Sequence, residues 1–522
     1  MKKVLSVILA VLLLITTFSL VACKDAHPKQ PDPTDDNYRV FYQIFVGSFS
    51  DSNGDGIGDL RGIINRFDYL NDGNMNSTKS LGVQGIWLSP IFKSPTYHKY
   101  DVVDYYEIDP RFGTMADLEE LIELCHSRNV KLILDLVLNH TSSQHQYFKD
   151  FVKAHQQNDQ SNPYYDYYTY GSLEELSGKT AIRIPGTDHF YEGNFSGDMP
   201  EPNFDNPKVR EDAVEMAKFY LDKGIDGFRF DAIKYIYYGE TARSVEFWDW
   251  YMAELKKLKP DIYCVGECWS ADLEILQYTS ALDCFAFQMS GGEGAICNGA
   301  KLMGNINSYT NYVCSFVNKL EETNKDAMFM PFFSNHDQDR SAGYPSYANM
   351  QMAANLYILC SGSPFIYYGE EIGMRGSRGG ANTDANRRLA MLWGDGDTVQ
   401  DPVGATFQNQ IKDTVKSQEK DKNSMLNHYR ELISVRIRHP EIARGSYTAL
   451  NFEERKFGGF KVDYNGSVLY ILHNTGEESI VIDLAEYYNY NFGQIVECIG
   501  YGNAKLEGTT LTIAPKTSII IK

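Results

Sequence analysis

The sequence predicts an α/β protein built on a (β/α)8 TIM barrel, with a subdomain inserted after the third strand and an all-β domain at the C-terminus. Three observations support this prediction. Eight apolar, strand-like runs alternate with amphipathic helical segments, one gap between them is unusually long, and the hydrophobic period changes near the C-terminus. Strand-then-helix repetition favours a parallel sheet, and eight repeats favour a closed barrel over an open sheet.

The predicted barrel strands are short and apolar. They cover residues 40–49, 83–91, 131–138, 225–231, 261–266, 282–287, 327–333 and 364–368. Between most of them lie segments with apolar residues at helical spacing, such as 115–128 and 209–223. Such spacing is typical of helices that cover a barrel. The barrel is therefore assigned to residues 38–140 and 207–438.

Two further units follow from the composition of the remaining chain. Residues 141–206 are rich in Tyr, Ser, Gly and Asn and are too long for a plain loop, so they are predicted to form an inserted subdomain. From about residue 439 short alternating segments are separated by turn residues. This pattern predicts a β-sandwich domain over residues 439–522.

The N-terminus has the pattern of an export signal. Lys2 and Lys3 precede an apolar run over residues 4–16, which is shorter than the roughly 20 residues needed to span a bilayer. The segment ends Leu20-Val21-Ala22-Cys23. This ending resembles a bacterial lipobox, which implies a signal peptide over residues 1–22, lipid attachment at Cys23 and a polar tether over residues 23–37. The alternative is an ordinary signal peptide with a chance cysteine. We expect an exported lipoprotein anchored to the membrane at the cell surface.

The charge balance excludes some partners. The 522 residues contain 69 acidic and 49 basic side chains, giving a net charge of −20. Duplex nucleic acids are excluded as partners because their binding requires a basic surface. A neutral substrate would be indifferent to this charge. Eight cysteines besides Cys23 match no zinc or redox spacing, and we expect mostly free, buried thiols.

Polar residues follow four of the predicted strands. In a barrel enzyme the active site is built where the strands end. Singly, an Asp at a strand end often caps a helix, and a His often satisfies a core hydrogen bond. Four motifs in order at four strand ends instead favour a catalytic site. They are Asp135-Leu136-Val137-Leu138-Asn139-His140, Gly227-Phe228-Arg229-Phe230-Asp231, Gly266-Glu267 and Ser334-Asn335-His336-Asp337.

These motifs resemble the four short signatures of the α-amylase family of glycoside hydrolases (family thirteen). Lys234 and Trp269 extend the second and third signatures. A fifth signature is present as Met199-Pro200-Glu201-Pro202-Asn203. The resemblance covers the chain from about Tyr38 to the C-terminus. It implies that Asp231 is the nucleophile, Glu267 the general acid/base and Asp337 the third catalytic acid.

The chemistry of such a site explains these residue types. Retaining glycosidases use two carboxyl groups about 5 Å apart, one as nucleophile and one as proton donor and later base. The donor must stay protonated near neutrality, which nearby negative charge such as that of Asp337 favours. Arg229 lies two residues before Asp231, on the same strand face, and would keep the nucleophile ionised and oriented. A structural ion pair is the alternative for Arg229 and is compatible with the orienting role.

The resemblance also implies substrate contacts. His140 and His336 would hydrogen-bond the sugar next to the cleaved bond, Tyr100 would stack on it, and Asp101 would follow Tyr100 into the site. Lys234 would lie on the leaving-group side. Asp384 and Arg388 would bind sugars toward the non-reducing end. A loop salt bridge is the alternative for these two residues.

A calcium site is predicted from spacing. Oxygen ligands alternate after the first strand as in the start of an EF-hand loop, with a glycine at the sixth position. The twelfth position is Gly62 instead of Glu, so the loop is not a true EF-hand. No second calcium is predicted, because Lys234 is followed by Tyr235 and not by the usual His. The predicted ligands are Asp51, Asn53, Asp55, the carbonyl of Ile57, and Asp59. A solvated acidic turn is the alternative.

The sequence thus predicts an α-amylase that hydrolyses internal α-1,4 bonds of starch or maltodextrins with retention, through a covalent glycosyl-aspartate. An α-1,6/α-1,4-glucosidase or a neopullulanase-type hydrolase of the same family is the alternative. A non-catalytic sugar-binding relative is a more distant one. The presence of Asp231, Glu267 and Asp337 together disfavours it.

Overall fold

The computed structural model describes residues 36–344, 347–380 and 382–522. The predicted signal peptide, the lipid attachment at Cys23 and most of the tether lie outside the described residues. Within the described part of the chain, no helix is both long and apolar enough to cross a bilayer.

The barrel is confirmed. Seven strands pair in parallel around the ring, and isolated parallel bridges from Met330 to Phe285 and from Phe332 to Phe365 close it. Each strand lies inside its predicted run. In ring order they are Asp283–Cys284, Tyr263–Gly266, Gly227–Phe230, Lys131–Leu136, Gly85–Leu88, Phe41–Ile44 and Phe365–Tyr367.

The prediction of a regular strand over residues 327–333 is wrong. Pro331 lies between its two bridging residues and has no N–H to donate to a ladder. The run still supplies acceptors, since the Met330 carbonyl accepts from the Ala286 amide at 3.0 Å and the Pro331 carbonyl from the Phe365 amide at 2.9 Å. It therefore occupies the seventh barrel position without forming a continuous strand.

Helices cover the outside of the barrel. The helix Met115–Ser127 begins at a capping box between Thr114 and Asp117 and buries Leu118, Leu121, Ile122 and Cys125 on one face. The others in the barrel region are Leu60–Asn65, Phe67–Leu70, Pro207–Leu221, Thr241–Leu258, Asp272–Tyr278, Ala295–Ala300, Ile306–Thr323, Tyr347–Ile358, Val415–Gln418 and Met425–Arg438, with Pro440–Arg444 leading into the C-terminal region.

Residues 141–206 carry secondary structure of their own. The helix Gln146–Gln157 is followed by an antiparallel sheet. Tyr165, Tyr167 and Tyr168 are buried, so part of the tyrosine-rich run packs inside this segment. The strands of the sheet are Tyr170–Gly171, Ala181–Arg183 and Phe190–Glu192.

The C-terminal all-β domain is confirmed. It contains two antiparallel sheets, whose residues share a separate apolar core that includes Leu472 and Ile519 from one sheet and Leu511 and Ile513 from the other. The larger sheet contains Ser446–Asn451, Phe457–Tyr464, Ser467–Asn474, Thr517–Ile521 and Ile495–Gly500. The smaller one contains Ile480–Asp483, Thr510–Ile513 and Ala504–Glu507.

The eight cysteines within the described residues are free thiols. Seven are buried and Cys498 is exposed. Burial raises the pKa of the Cys264 and Cys268 thiols to about 12, so both stay neutral and act as small apolar side chains.

Candidate active site

A cleft of about 590 Å³ opens at the carboxyl ends of the barrel strands. Eight of the eleven predicted catalytic and substrate-binding residues line it, whereas Asp101, Arg229 and His336 lie behind its surface. The eight are Tyr100, His140, Asp231, Lys234, Glu267, Asp337, Asp384 and Arg388.

Arg229 is the centre of the acidic site. Its side chain is fully buried, and its Nη1 lies 2.7 Å from an oxygen of Asp231 and 2.7 Å from one of Asp135, while its Nη2 lies 3.0 Å from Glu267. The strands that carry Asp231 and Glu267 are adjacent in the barrel, as predicted. Asp135 belongs to one of the strand-end motifs but has no role predicted from the sequence. In the structure it is the third carboxyl group on Arg229.

The electrostatics separate the roles of the two central acids. Burial raises the pKa of Glu267 and of Asp135 to about 7 and also raises that of Asp231, against the opposing charge of Arg229. Asp231 makes the shorter contact with the guanidinium. The arrangement therefore favours an ionised Asp231 beside a Glu267 that holds a proton until the pH rises through about 7.

Asp337 has the opposite environment. Burial acts to raise its pKa, but the ring of His336 and the guanidinium of Arg388 outweigh that effect and hold the pKa well below its usual range. Arg388 Nη2 lies 2.7 Å from one oxygen, and His336 Nε2 lies 3.0 Å from the other. Asp337 is therefore a fixed negative charge facing the cleft.

The two predicted histidines differ in position. His140 lines the cleft, and its buried Nε2 has no hydrogen-bond partner among the described residues. Burial lowers the pKa of His140 to about 4, so the ring is neutral and can bind a sugar hydroxyl. His336 does not reach the cleft surface, because it is fully buried behind Tyr100 and stacks on that ring with centroids 5.4 Å apart. Its predicted direct sugar contact stays a prediction, since the ring is covered in this geometry.

Three other predicted contact residues are held by neighbouring side chains. Asp101 accepts hydrogen bonds from the hydroxyls of Ser94 and Thr96, so it fixes the loop that carries Tyr100 and is not on the cleft wall. Arg388 pairs with Asp337, as given above. Asp384 pairs with Arg387 at 3.0 Å. Both Asp384 and Arg388 still line the cleft.

The cleft contains aromatic side chains that sequence reasoning did not assign to substrate. Trp269 is 49% exposed and Phe195 is 45% exposed, and both line the cleft. Lys234 donates to the Trp269 carbonyl at 2.8 Å, and the rings of Phe195 and Tyr235 lie 4.7 Å apart. Trp269 closes one of the motifs and could have been found there. Phe195 has no local signal, since its place depends on the fold of the inserted segment.

The predicted calcium loop has a suitable set of oxygen donors. Asp51 accepts from the amides of Gly54 and Gly56 at 2.8 and 2.7 Å, and Asn53 Oδ1 accepts from the Asp55 amide at 2.9 Å. Both glycines have positive φ, 85° and 88°, which turns the loop back on itself. The side-chain oxygens of Asp51 and Asn53 therefore face backbone amides of the same loop. Oxygen donors of this kind suit calcium.

The last predicted ligand has a second role. Asp59 Oδ1 accepts from the Gly62 amide at 2.6 Å and so caps the helix Leu60–Asn65, while its Oδ2 accepts from the Ser52 amide at 3.1 Å. Within the described residues, no three His, Cys, Asp or Glu side chains form a metal-ligating group. A cation in this loop would therefore also need Asn53 and the Ile57 carbonyl.

The barrel and the carboxyl groups at its strand ends define a carbohydrate-active barrel enzyme. Residues 43–445 match the family model described as the alpha-amylase catalytic domain. The chain belongs to the α-amylase family of glycoside hydrolases and transferases.

Relatives in this family differ in activity. The chain is 34% identical over 507 residues to "Alpha-amylase 3" of Dictyoglomus thermophilum, covering 92% of this chain and 93% of the relative. It is 30% identical to an "Oligo-1,6-glucosidase" of Bacillus cereus, covering 92% of this chain and 98% of that protein. Among solved structures, Eubacterium rectale Amy13B superposes with a TM-score of 0.86 at 33% identity, covering 94% of this chain and 96% of that one.

Proposed function

We propose that this protein hydrolyses internal α-1,4-glucosidic bonds of starch and maltodextrins with retention of configuration. The observation that carries the proposal is the group of Asp231, Glu267 and Asp337 at one cleft, with the first two sharing Arg229. Similarity to an α-amylase over most of the chain supports the α-glucan substrate.

The residues of the cleft suit a double displacement. An ionised Asp231 oxygen attacks the anomeric carbon while Glu267 gives its proton to the departing glycosidic oxygen, leaving a covalent glycosyl-aspartate. Glu267, now a carboxylate, takes a proton from water, whose oxygen attacks the same carbon and releases Asp231. Asp337 keeps its negative charge throughout and would bind the hydroxyls of the reacting sugar.

The residues on the leaving-group side of the cleft support internal cleavage. By resemblance, Lys234 marks this side, and the exposed rings of Phe195 and Trp269 lie near it. Exposed aromatic rings offer flat apolar faces to sugars. An enzyme that removes single glucose units from short chains has less need of such a surface beyond the cleaved bond.

A maltoheptaoside blocked at its non-reducing end tests internal cleavage. We expect the wild-type protein to cut it and to release mixed oligosaccharides from soluble starch, with Asp231→Asn as the inactive control. The rival is the oligo-1,6-glucosidase activity named for the Bacillus cereus relative. Glucose release from isomaltose, with the blocked substrate left intact, would support that rival and contradict the proposal.

We propose that the loop from Asp51 to Asp59 binds Ca²⁺. Added calcium is expected to raise the Tm of the wild-type protein and to leave that of Asp55→Ala unchanged. Ligand at 100 times its Kd adds about 2.7 kcal/mol to the free energy of unfolding. Asp188→Ala, which removes an exposed acid outside the loop, serves as the matched control. An equal calcium response in wild type and Asp55→Ala, or none in either, would contradict the site.

We also propose that the protein is exported and held at the membrane by a lipid on Cys23. The sequence around Cys23 supports this proposal. We expect the mature wild-type protein to partition into the detergent phase and Cys23→Ser to lose this partitioning.

A further inference from the structure

A buried glutamine on the first barrel strand contacts the catalytic region from behind. Gln43 is 1% exposed, and its Nε2 lies 2.7 Å from Nδ1 of His336, which is itself fully buried. An amide nitrogen can only donate, so Nδ1 must be the acceptor. The single proton of a neutral imidazole is then on Nε2.

The other contacts of His336 favour the same tautomer. Its Nε2 lies 3.0 Å from an Asp337 oxygen and 2.5 Å from the Tyr100 hydroxyl, and that hydroxyl donates to Asp135 at 2.9 Å. If the proton were on Nδ1, the Nε2 lone pair would face an ionised carboxylate. The hydrogen bonds thus run in one direction, from Gln43 to His336 and on to Asp337.

We propose that Gln43 is a positioning residue that fixes the Nε2–H tautomer of His336, and through it the orientation of Asp337 in the cleft. This inference rests on the proposed function, because Asp337 matters as a catalytic acid. A neutral amide suits the position. A carboxylate would attract a second proton onto His336, and an apolar side chain would leave the selection of the tautomer to the Nε2 contacts alone.

The tautomer can be measured directly without substrate. In protein labelled with ¹⁵N-histidine, the His336 signals are assigned by their loss in His336→Gln. We expect a bare Nδ1 and a protonated Nε2 in the wild type, a mixture of tautomers in Gln43→Leu, and protonation of both nitrogens in Gln43→Glu. A wild-type His336 with its proton on Nδ1 would overturn the proposal.

Activity is the second measurement. By analogy with the partners that orient metal-ligating histidines, Gln43→Leu should lower kcat/KM by about 10- to 100-fold. The matched control is Gln418→Leu, which removes another buried glutamine whose amide donates to the Ile372 carbonyl at 2.7 Å. It should lower Tm but leave the His336 signals and the kcat/KM of the folded protein unchanged.

The outcomes separate this inference from the proposed function. Unchanged kcat/KM and unchanged His336 signals in folded Gln43→Leu would overturn the positioning role. Hydrolysis retained by Asp231→Asn would overturn the proposed function and leave the tautomer measurement standing.

Discussion

Glu267→Gln is expected to lower kcat on starch by about 10²- to 10⁴-fold, the usual contribution of a general acid, without loss of the fold. Glutamine keeps the shape of the side chain but has no proton to give to the departing oxygen. The Ala232 amide, which donates to Glu267 at 3.1 Å, would still have an oxygen acceptor. Initial rates on soluble starch, with the unfolding transition as a measure of integrity, check this expectation.

A substrate with an activated leaving group distinguishes the two central acids. Fluoride departs without general acid help, so Glu267→Gln should still form the glycosyl-enzyme from an α-glycosyl fluoride. Asp231→Asn should not, because it lacks the nucleophile. Near-wild-type turnover of starch by either folded variant would contradict its assigned role.

The order of motifs along the chain was enough to predict the main catalytic group. Asp231 and Glu267 each follow a strand, and consecutive strands of a barrel are neighbours, so their proximity follows from the topology. The role of Asp135 could not be predicted in the same way. It depends on the register that places Asp135 opposite Arg229 on the neighbouring strand, and no local pattern encodes that register.

The positions of the other cleft residues could not be predicted from the sequence because they depend on loop geometry. The Asp101 side chain turns toward Ser94 and Thr96, a choice made by the loop and not by sequence position. Phe195 reaches the cleft only through the fold of residues 141–206.

The abundance of tyrosine, 36 residues, has a partial explanation that only the structure provides. Tyr42 and Tyr69 donate to the fully buried Glu371 at 2.7 and 2.6 Å. A buried carboxyl group is costly unless its oxygens are hydrogen-bonded. Some tyrosines therefore stabilise acids inside the barrel and do not bind sugar.

Arg229→Met is expected to have the largest effect on stability. Breaking a buried ion pair costs about 3–5 kcal/mol, because the remaining charge is left uncompensated, and here three carboxyl groups share the guanidinium. Activity should also fall sharply, since the pKa of Asp231 would rise further and fewer molecules would hold an ionised nucleophile. Urea unfolding and initial rates measure the two effects.

The loss of stability should depend on pH in a defined direction. A carboxyl group whose pKa is higher in the folded state than in the unfolded state destabilises the fold as the pH rises through the folded value. In the wild type this loss of stability ends near pH 7 for Glu267 and Asp135, whereas without Arg229 it should continue to higher pH. The loss of unfolding free energy in Arg229→Met relative to wild type should therefore be larger at about pH 8.5 than at about pH 6.

Arg229→Lys provides the control for charge alone. It keeps a positive charge but cannot contact three carboxyl groups through a planar fork, so its deficit should be smaller than that of Arg229→Met and less dependent on pH. The same deficit for Arg229→Met at both pH values would mean that Arg229 stabilises the fold through packing, for example against Trp87, whose ring lies 5.1 Å away. In that case the guanidinium would not be what lets the buried Asp231 ionise.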